Sequence, residues 1–266
     1  MQAATGHVLI TGASSGLGAA FAREYARRGK PLLLTARRGE RLETLVRELG
    51  DLVPCQAIVA DLSVRAAPQA LFAEAQARGL HVDTLVNNAG YGVTGRYLSS
   101  EWKTHADFLQ VMVTAVAELT HHFLPGMEAA GHGRIVNVAS TAALVPASAG
   151  HTLYAASKAF VIQFSEALAL ESRPRGVHVT ALCPGMTYTE FHDVNGMRER
   201  VSRLPKSLWL DADTVARMGI EAVERGDMRC VTGGTNRLVT GLSKYLPDRL
   251  ARAIVNRRAA DYRDAG

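Results

Sequence analysis

The chain has 266 residues, of which 47% are hydrophobic and 21% charged, and its 30 lysines and arginines outnumber its 25 aspartates and glutamates. This composition is typical of a globular protein with a large apolar core, and it argues against a disordered chain. No run of about 18 apolar residues occurs, and the first residues, MQAATGHVLITG, carry no basic segment. We therefore expect neither a membrane span nor a secretory leader, and a cytoplasmic protein.

Apolar runs and amphipathic helical patterns alternate along the chain. Strands are predicted at 7–12, 31–37, 55–62, 82–90, 134–140, 177–185 and 228–233. Helices are predicted at 16–29, 40–50, 65–78, 101–124, 152–172 and 212–225, the fourth of them ending near Pro125. Such alternation indicates βαβ units, so we predict an α/β fold with a doubly wound parallel sheet of about seven strands and helices on both faces.

The sequence shows neither an internal repeat nor a linker, so residues 1–266 are expected to form a single domain. Segment 186–211 is the main irregular stretch, and 234–266 is a C-terminal extension that is expected to be helical. The three cysteines, at 55, 183 and 230, are far apart and odd in number, so no disulfide framework and no metal cluster are expected.

The net charge of +5 is concentrated partly in the C-terminal stretch DRLARAIVNRRAADYR. A solvated helix face is the first interpretation, and a peripheral contact with a membrane surface or a polyanion is the alternative. Because aromatic residues do not alternate with the basic ones, no nucleic-acid partner is expected.

The stretch TGASSGLG, residues 11–18, joins the first predicted strand to the first predicted helix. Doubly wound sheets bind ligands at the carboxyl ends of their strands, where glycines let the backbone approach a pyrophosphate and a helix N-terminus offers free N–H groups. The spacing G-x-x-x-G-x-G differs from the usual G-x-G-x-x-G. We predict a dinucleotide site here, with a tight packing turn as the alternative. The candidate residues are Gly12, Ser14, Ser15, Gly16, Leu17 and Gly18.

The second predicted strand ends in Arg37 and Arg38, where an NAD-binding protein usually carries an acidic residue for the ribose hydroxyls. Arginine suits a 2′-phosphate, so the pair favours NADP(H) over NAD(H), unless both are ordinary surface residues. The next two strands end in segments where the adenine edge and the rest of the cofactor would pass. Their candidate cofactor contacts are Asp61, Leu62, Asn88, Ala89 and Gly90.

Tyr154 and Lys158 lie four residues apart at the start of a predicted helix, and Ser140 ends the fifth predicted strand, so all three fall at the ligand-binding edge. Hydride reduction of a carbonyl leaves an alkoxide that needs a proton, and a phenol with a pKa of about 10 is a poor donor near neutrality. A lysine ammonium about 4 Å away would lower that pKa by roughly three units.

We therefore predict Tyr154 as the general acid in reduction and the general base in oxidation, with Ser140 holding the carbonyl oxygen. The alternative is a tyrosine ring packed in the core beside a lysine that extends to solvent.

Together these segments resemble the short-chain dehydrogenase/reductase family. TGASSGLG is similar to its TGxxxGxG motif, NNAG (87–90) to its NNAG motif, Ser140 with Tyr154-x-x-x-Lys158 to its catalytic triad, and CPGMTYTEF (183–191) to its PG motif. The resemblance covers about residues 5–235. It implies a Rossmann fold, an NAD(P) cofactor and a homodimer or homotetramer, with Lys158 also binding the nicotinamide ribose. The cofactor contacts that it implies in addition are Tyr154, Lys158, Pro184, Gly185, Thr187 and Thr189, and the resemblance implies that the two threonines lie near the nicotinamide carboxamide.

One position departs from the family pattern. The family commonly has an asparagine thirteen residues before the proline of its LPxM segment, and Met112 stands there, before Pro125. In the family that asparagine helps hold a water that links the lysine to solvent, which a methionine side chain cannot do. Either Met112 simply packs and a backbone carbonyl serves the relay, or the chain is a weak or inactive NADP(H)-binding sensor. Gln110 falls on a different helix face and is not expected to substitute.

The segment after the PG motif is expected to cover the substrate. Its apolar residues are Met186, Tyr188, Phe191, Val194, Met197, Leu204, Leu208 and Trp209. They suit a hydrophobic ketone, aldehyde or alcohol, with packing against the C-terminal extension as the alternative. His151 and His192 could reach the pocket mouth, but no metal site is expected. As a hypothesis, residues 234–266 close the pocket or contact a lipid surface.

Overall fold

The structure, a computed structural model, describes residues 6–147, 149–150, 152–188 and 209–243. Several residues named above lie outside this part of the chain, namely His151, Thr189, Phe191, His192, Val194, Met197, Leu204, Leu208 and the segment 244–266. The hypotheses on these residues stay predictions.

The described residues contain nine β-strands, seven of which form one parallel sheet. The strands are β1 (His7–Thr11), β2 (Leu32–Ala36), β3 (Cys55–Val59), β4 (Val82–Asn87), β5 (Gly133–Val138), β6 (Val177–Cys183), β7 (Met186–Tyr188), β8 (Trp209–Asp211) and β9 (Arg229–Val231). The order in the main sheet is β3-β2-β1-β4-β5-β6-β9, and β7 pairs with β8 separately. The chain reverses its direction of travel across the sheet after β3, so the switch point lies between β1 and β4.

Eight α-helices accompany these strands in the described part of the chain. They are α1 (Gly16–Arg27), α2 (Gly39–Gly50), α3 (Ala67–Ala77), α4 (Trp102–Leu109), α5 (Ala115–Ala129), α6 (Thr152–Ser172), α7 (Ala212–Arg225) and α8 (Gly234–Ser243). A π-helical turn at Gln110–Thr114 joins α4 to α5. None of these helices is both long enough and apolar enough to cross a bilayer.

The two faces of the sheet carry two separate apolar cores, because successive side chains of a strand point to opposite faces. On one face Val8 and Ile10 pack with α1, α2 and α7. On the other face Leu9 packs with α3, α5 and α6. All three β1 residues are fully buried, which explains why the strand reads as an unbroken apolar run rather than as an alternating one.

Local signals place the helix ends. The carboxylate of Asp211 accepts the N–H of Thr214 at 2.7 Å and so caps α7, and Gly226 ends that helix in a left-handed conformation with φ of 76°. The predicted α/β sheet with helices on both faces is therefore present, and the first ten residues of the C-terminal extension are helical, as expected.

Several boundary predictions were wrong, and the strand predicted at 55–62 ends at Val59. The long helix does not end near Pro125, which lies inside α5, because a proline removes one N–H donor without breaking the rest of a well-packed helix. The strands predicted at 82–90 and 177–185 end at Asn87 and Cys183, since the residues that follow leave the sheet. The small β7–β8 pair was not predicted.

Candidate active site

The proposed cofactor contacts in the described part of the chain lie in segments that follow the carboxyl ends of the strands of the main sheet. The glycine-rich loop follows β1 beside the switch point. At this loop Gly12 and Gly16 have φ of 66° and 54°, values that favour glycine. A Cβ added to Gly18 would lie 2.3 Å from the carbonyl oxygen of Gly12, so the loop can close onto α1 only with glycine there. Leu17 packs against the core rather than facing outward.

A polar clasp at the switch point was missed by the sequence analysis. The hydroxyl oxygen of Thr11 accepts the N–H groups of Asn88 and Ala89, both at 2.9 Å, and Asn88 Nδ2 donates to the Thr11 carbonyl at 2.8 Å. Asn88 therefore fastens the end of β4 to the end of β1. Thr11 is the first residue of TGASSGLG, so the motif itself contains the residue that makes these contacts.

The next residue of this segment, Gly90, leaves room for a buried methionine. A Cβ on Gly90 would lie 2.9 Å from the sulfur of Met112, and Met112 is itself almost fully buried within the π-helical turn. The side chain at the position of the family asparagine therefore packs against the NNAG segment.

Arg38 and the two loop serines form one cluster. Arg38 Nη2 donates to Ser15 Oγ at 2.8 Å and to Ser14 Oγ at 3.2 Å. Ser15 is the N-cap residue of α1, and the first-turn N–H groups of any helix lack intrahelical acceptors. A guanidinium, two hydroxyls and the positive end of a helix dipole thus meet at one place, a donor set that suits a phosphate.

The two arginines after β2 have different surroundings. The charge of Arg37 acts on Asp61, whose Oδ1 accepts the N–H and hydroxyl of Ser63 at 3.0 and 2.8 Å. Burial alone would raise the pKa of Asp61, but the Ser63 hydrogen bonds and the Arg37 charge outweigh it, so the pKa lies below its usual value. Leu62 is buried in the core, so its backbone is the part that can meet a cofactor.

Ser140, Tyr154 and Lys158 are brought together by the segment after β5 and the first two turns of α6. Ser140 Oγ accepts the N–H of Ala142 at 3.1 Å and is hydrogen-bonded to the phenol of Tyr154. The ammonium of Lys158 donates to the carbonyl oxygen of Val138 at 2.6 Å and lies 5.9 Å from the centroid of the Tyr154 ring. The Val138 carbonyl is a second contact that the sequence analysis missed.

The expected lowering of the Tyr154 pKa by Lys158 was wrong for this arrangement. Burial raises the pKa of Tyr154, and the hydrogen bond with Ser140 offsets only part of that rise. Burial also lowers the pKa of Lys158 to about 8. The prediction was wrong because it assumed a close, fully charged lysine and left out the cost of desolvating the Tyr154 phenolate.

The segment after β6 lies next to the Ser140 loop, because β6 is the neighbour of β5 in the sheet. Pro184 accepts the backbone N–H of Thr141 at 2.9 Å, which joins the PG turn to the Ser140 loop. Thr187 is buried and its hydroxyl donates to the carbonyl of Gly185 at 3.2 Å. Just beyond, the rings of Tyr188 in β7 and Trp209 in β8 stack with centroids 4.6 Å apart, so the two paired strands are also in side-chain contact.

Comparison with known proteins shows the family of the chain. The sequence profile described as short chain dehydrogenase matches residues 6–199. The chain belongs to this family. It is 40% identical over 189 residues to sulfoacetaldehyde reductase 2 of Chromohalobacter salexigens, covering 69% of this chain and 73% of the relative.

Two solved structures extend the comparison. A short-chain dehydrogenase from Sphingobium yanoikuyae in complex with NADPH is 30% identical with a TM-score of 0.80, and 98% of each chain is covered. A bulky-bulky ketone specific alcohol dehydrogenase from Comamonas testosteroni is 27% identical with a TM-score of 0.73, covering 91% of this chain and 95% of the other. The predictions of family, Rossmann-type fold and oxidoreductase class are therefore confirmed.

Proposed function

We propose that this chain uses NADP(H) to interconvert a hydrophobic ketone or aldehyde with its alcohol, with Tyr154 as the general acid or base. The observation that carries the proposal is the meeting of Ser140, Tyr154 and Lys158 beside a phosphate-binding loop. Phosphate donors on one side of the switch point and a proton donor on the other are the two parts that such a reaction requires.

The residues present fit a dinucleotide with a 2′-phosphate. Arg38, Ser14 and Ser15 supply charged and neutral donors, and the positive φ values of Gly12 and Gly16 turn the loop ahead of the α1 N-terminus. When bound, NADPH supplies the hydride. The cofactor is NADP(H), as the bound NADPH of the Sphingobium relative and the arginines after β2 both support. By the family resemblance, the proposed contacts also include Pro184, Gly185, Thr187 and Lys158.

The protonation states favour reduction near neutral pH. Because burial keeps the pKa of Tyr154 above its usual value, the phenol stays protonated at pH 7 and can donate to a developing alkoxide. In this proposal the Ser140 hydroxyl holds the carbonyl oxygen and stabilises the phenolate that remains. Lys158, with a pKa of about 8, is mostly charged at pH 7 and stabilises the same phenolate.

Aromatic residues after the PG turn support the proposed hydrophobic substrate. The stacked pair Tyr188 and Trp209 lies after the PG turn, and the Comamonas relative is named for bulky ketones. Sulfoacetaldehyde, named for the other relative, is a small anionic aldehyde. A matched screen of NADPH oxidation with bulky ketones and small anionic aldehydes separates the two classes. A cytoplasmic homodimer or homotetramer completes the proposal, on the family resemblance.

The test of turnover is Tyr154→Phe with Tyr25→Phe as the matched control. Tyr25 lies near the far end of α1, and its buried hydroxyl has no hydrogen-bond partner in the described part of the chain. General acid catalysis contributes roughly 10²–10⁴-fold, so Tyr154→Phe should lose that factor in kcat while NADPH binding persists.

The control should retain full activity. Equal activity of Tyr154→Phe and wild type would reject Tyr154 as the acid. NADPH binding without turnover in the wild type, against every carbonyl class in the screen, would favour the sensor alternative raised by Met112.

A further inference from the structure

Helix α8 carries its polar residues inward. Asn236 and Thr240 are buried, whereas Leu238, Val239 and Leu242 are exposed. A surface helix held by apolar burial would show the reverse pattern. Because a buried polar side chain is costly without a partner, the inward residues of α8 need specific contacts.

The amide of Asn236 occupies the space above Gly185. A Cβ added to Gly185 would lie 2.2 Å from Asn236 Nδ2 and 2.7 Å from its Oδ1. The same Nδ2 donates to the carbonyl of Thr232 at 2.9 Å, so the amide is fixed to the end of β9. Asn236 therefore packs directly on the turn that follows β6.

The other end of α8 reaches the loop that carries Ser140. The hydroxyl of Ser243 lies 3.1 Å from the carbonyl oxygen of Leu144, and it can share its proton with the Thr240 carbonyl at 2.8 Å. Leu144 closes the turn after Ser140 by donating its N–H to the Thr141 carbonyl at 2.9 Å. The helix thus spans the two loops that the Thr141–Pro184 hydrogen bond joins.

We propose that Asn236 is a positioning residue that holds the Pro184–Gly185 turn, and through it Thr187, in place for the nicotinamide end of the cofactor. The inference rests on the proposed function of this site. The phosphate donors around Arg38 follow β2, which is five strand positions from β9, or about 24 Å at 4.8 Å for each position. Loss of the Asn236 amide should therefore weaken the hold on one half of the cofactor only.

The test compares two ligands by calorimetric titration, NADPH and 2′,5′-ADP, which lacks the nicotinamide half. Removing one hydrogen-bonded, buried amide should weaken binding of NADPH to Asn236→Ala by roughly five- to tenfold, while 2′,5′-ADP binds within about twofold of wild type. Leu238→Ala, on the exposed side of the same helix, is the control and should change neither affinity.

Equal weakening of both ligands by Asn236→Ala, or no weakening of either, would overturn the positioning role. Wild-type protein that binds neither ligand would overturn the proposed function, and this inference with it.

A second pair of variants tests the contact itself. Gly185→Ala places a methyl group into the Asn236 amide and should weaken NADPH binding by at least tenfold, whereas the double variant Gly185→Ala/Asn236→Ala should recover much of that affinity because the space is then free. Additive losses in the double variant would contradict the proposed contact.

Discussion

Replacing the buried lysine of the site by methionine should stabilise the protein at neutral pH while abolishing its activity. Lys158 is 6% exposed, and burial lowers its pKa from 10.5 to about 8. This lowering of the Lys158 pKa means that a charged ammonium in the folded state reduces the unfolding free energy by about 3 kcal/mol. Lys158→Met removes that cost but leaves the Val138 carbonyl without its donor, a loss of about 1–2 kcal/mol.

The pH dependence follows from the direction of the shift. Between about pH 8 and 10.5 the Lys158 side chain is protonated in the unfolded chain but largely neutral in the folded one. The unfolding free energy of the wild type therefore rises with pH through that window. The variant lacks this gain. The unfolding free energy of Lys158→Met should therefore exceed that of the wild type by about 1–2 kcal/mol at pH 7 and fall below it by about 1 kcal/mol at pH 10.5.

Thermal midpoints of the cofactor-free protein at the two pH values measure this difference. About 1 kcal/mol corresponds to roughly 2–4 °C in Tm for a domain of this size. Lys103→Met is the control, because the Lys103 side chain is 79% exposed and should give a small difference that does not change sign. A Lys158→Met protein that is destabilised equally at both pH values would refute the reasoning.

Four further predictions test other parts of the site. Arg38→Ala should weaken NADPH binding by roughly 10–100-fold and leave NADH nearly unchanged, which paired calorimetric titrations would measure. Gly18→Ala should abolish NADPH binding because its Cβ would meet a carbonyl oxygen at 2.3 Å, whereas Gly50→Ala, with open space around it, should bind normally. Met112→Ala should lower the unfolding free energy by about 2–5 kcal/mol in denaturant titrations, since it leaves a cavity beside Gly90. Alcohol oxidation should accelerate as the pH rises above neutrality, because burial raises the pKa of Tyr154 and its base form becomes more populated with increasing pH; a rate maximum at pH 7 would contradict this.

The sheet could be predicted from the sequence because its inner strands, unlike the edge strands β3 and β9, are buried on both faces. Residues such as Val8, Leu9 and Ile10 are apolar on either side of β1, a pattern that few other structures produce. The strand ends were less predictable, because the N–H of Asn88 donates to the Thr11 hydroxyl and the Gly185 carbonyl accepts the Thr187 hydroxyl, and no sequence pattern reveals these contacts outside the ladder. The π-helical turn was not predicted, since its residues carry no pattern distinct from an ordinary helix.

The proximity of Ser140, Tyr154 and Lys158 could be predicted from residue type and spacing, but the pKa shifts of the tyrosine and the lysine could not. Distance along the sequence places Lys158 next to Tyr154, yet the partner of its ammonium is the Val138 carbonyl, which no sequence pattern reveals. Asn236 is farther still from any motif, and its contact with Gly185 depends on how α8 packs after β9. Such contacts arise from tertiary packing, so they require the fold.

The most direct test of the account is a calorimetric titration of the purified protein with NADPH and NADH, followed in parallel by quenching of its two tryptophans, Trp102 and Trp209. The account predicts binding of NADPH that is at least tenfold tighter than binding of NADH, with the difference lost in Arg38→Ala. Tighter binding of NADH would contradict the role of the arginines, and binding of neither nucleotide would contradict the proposed function as a whole.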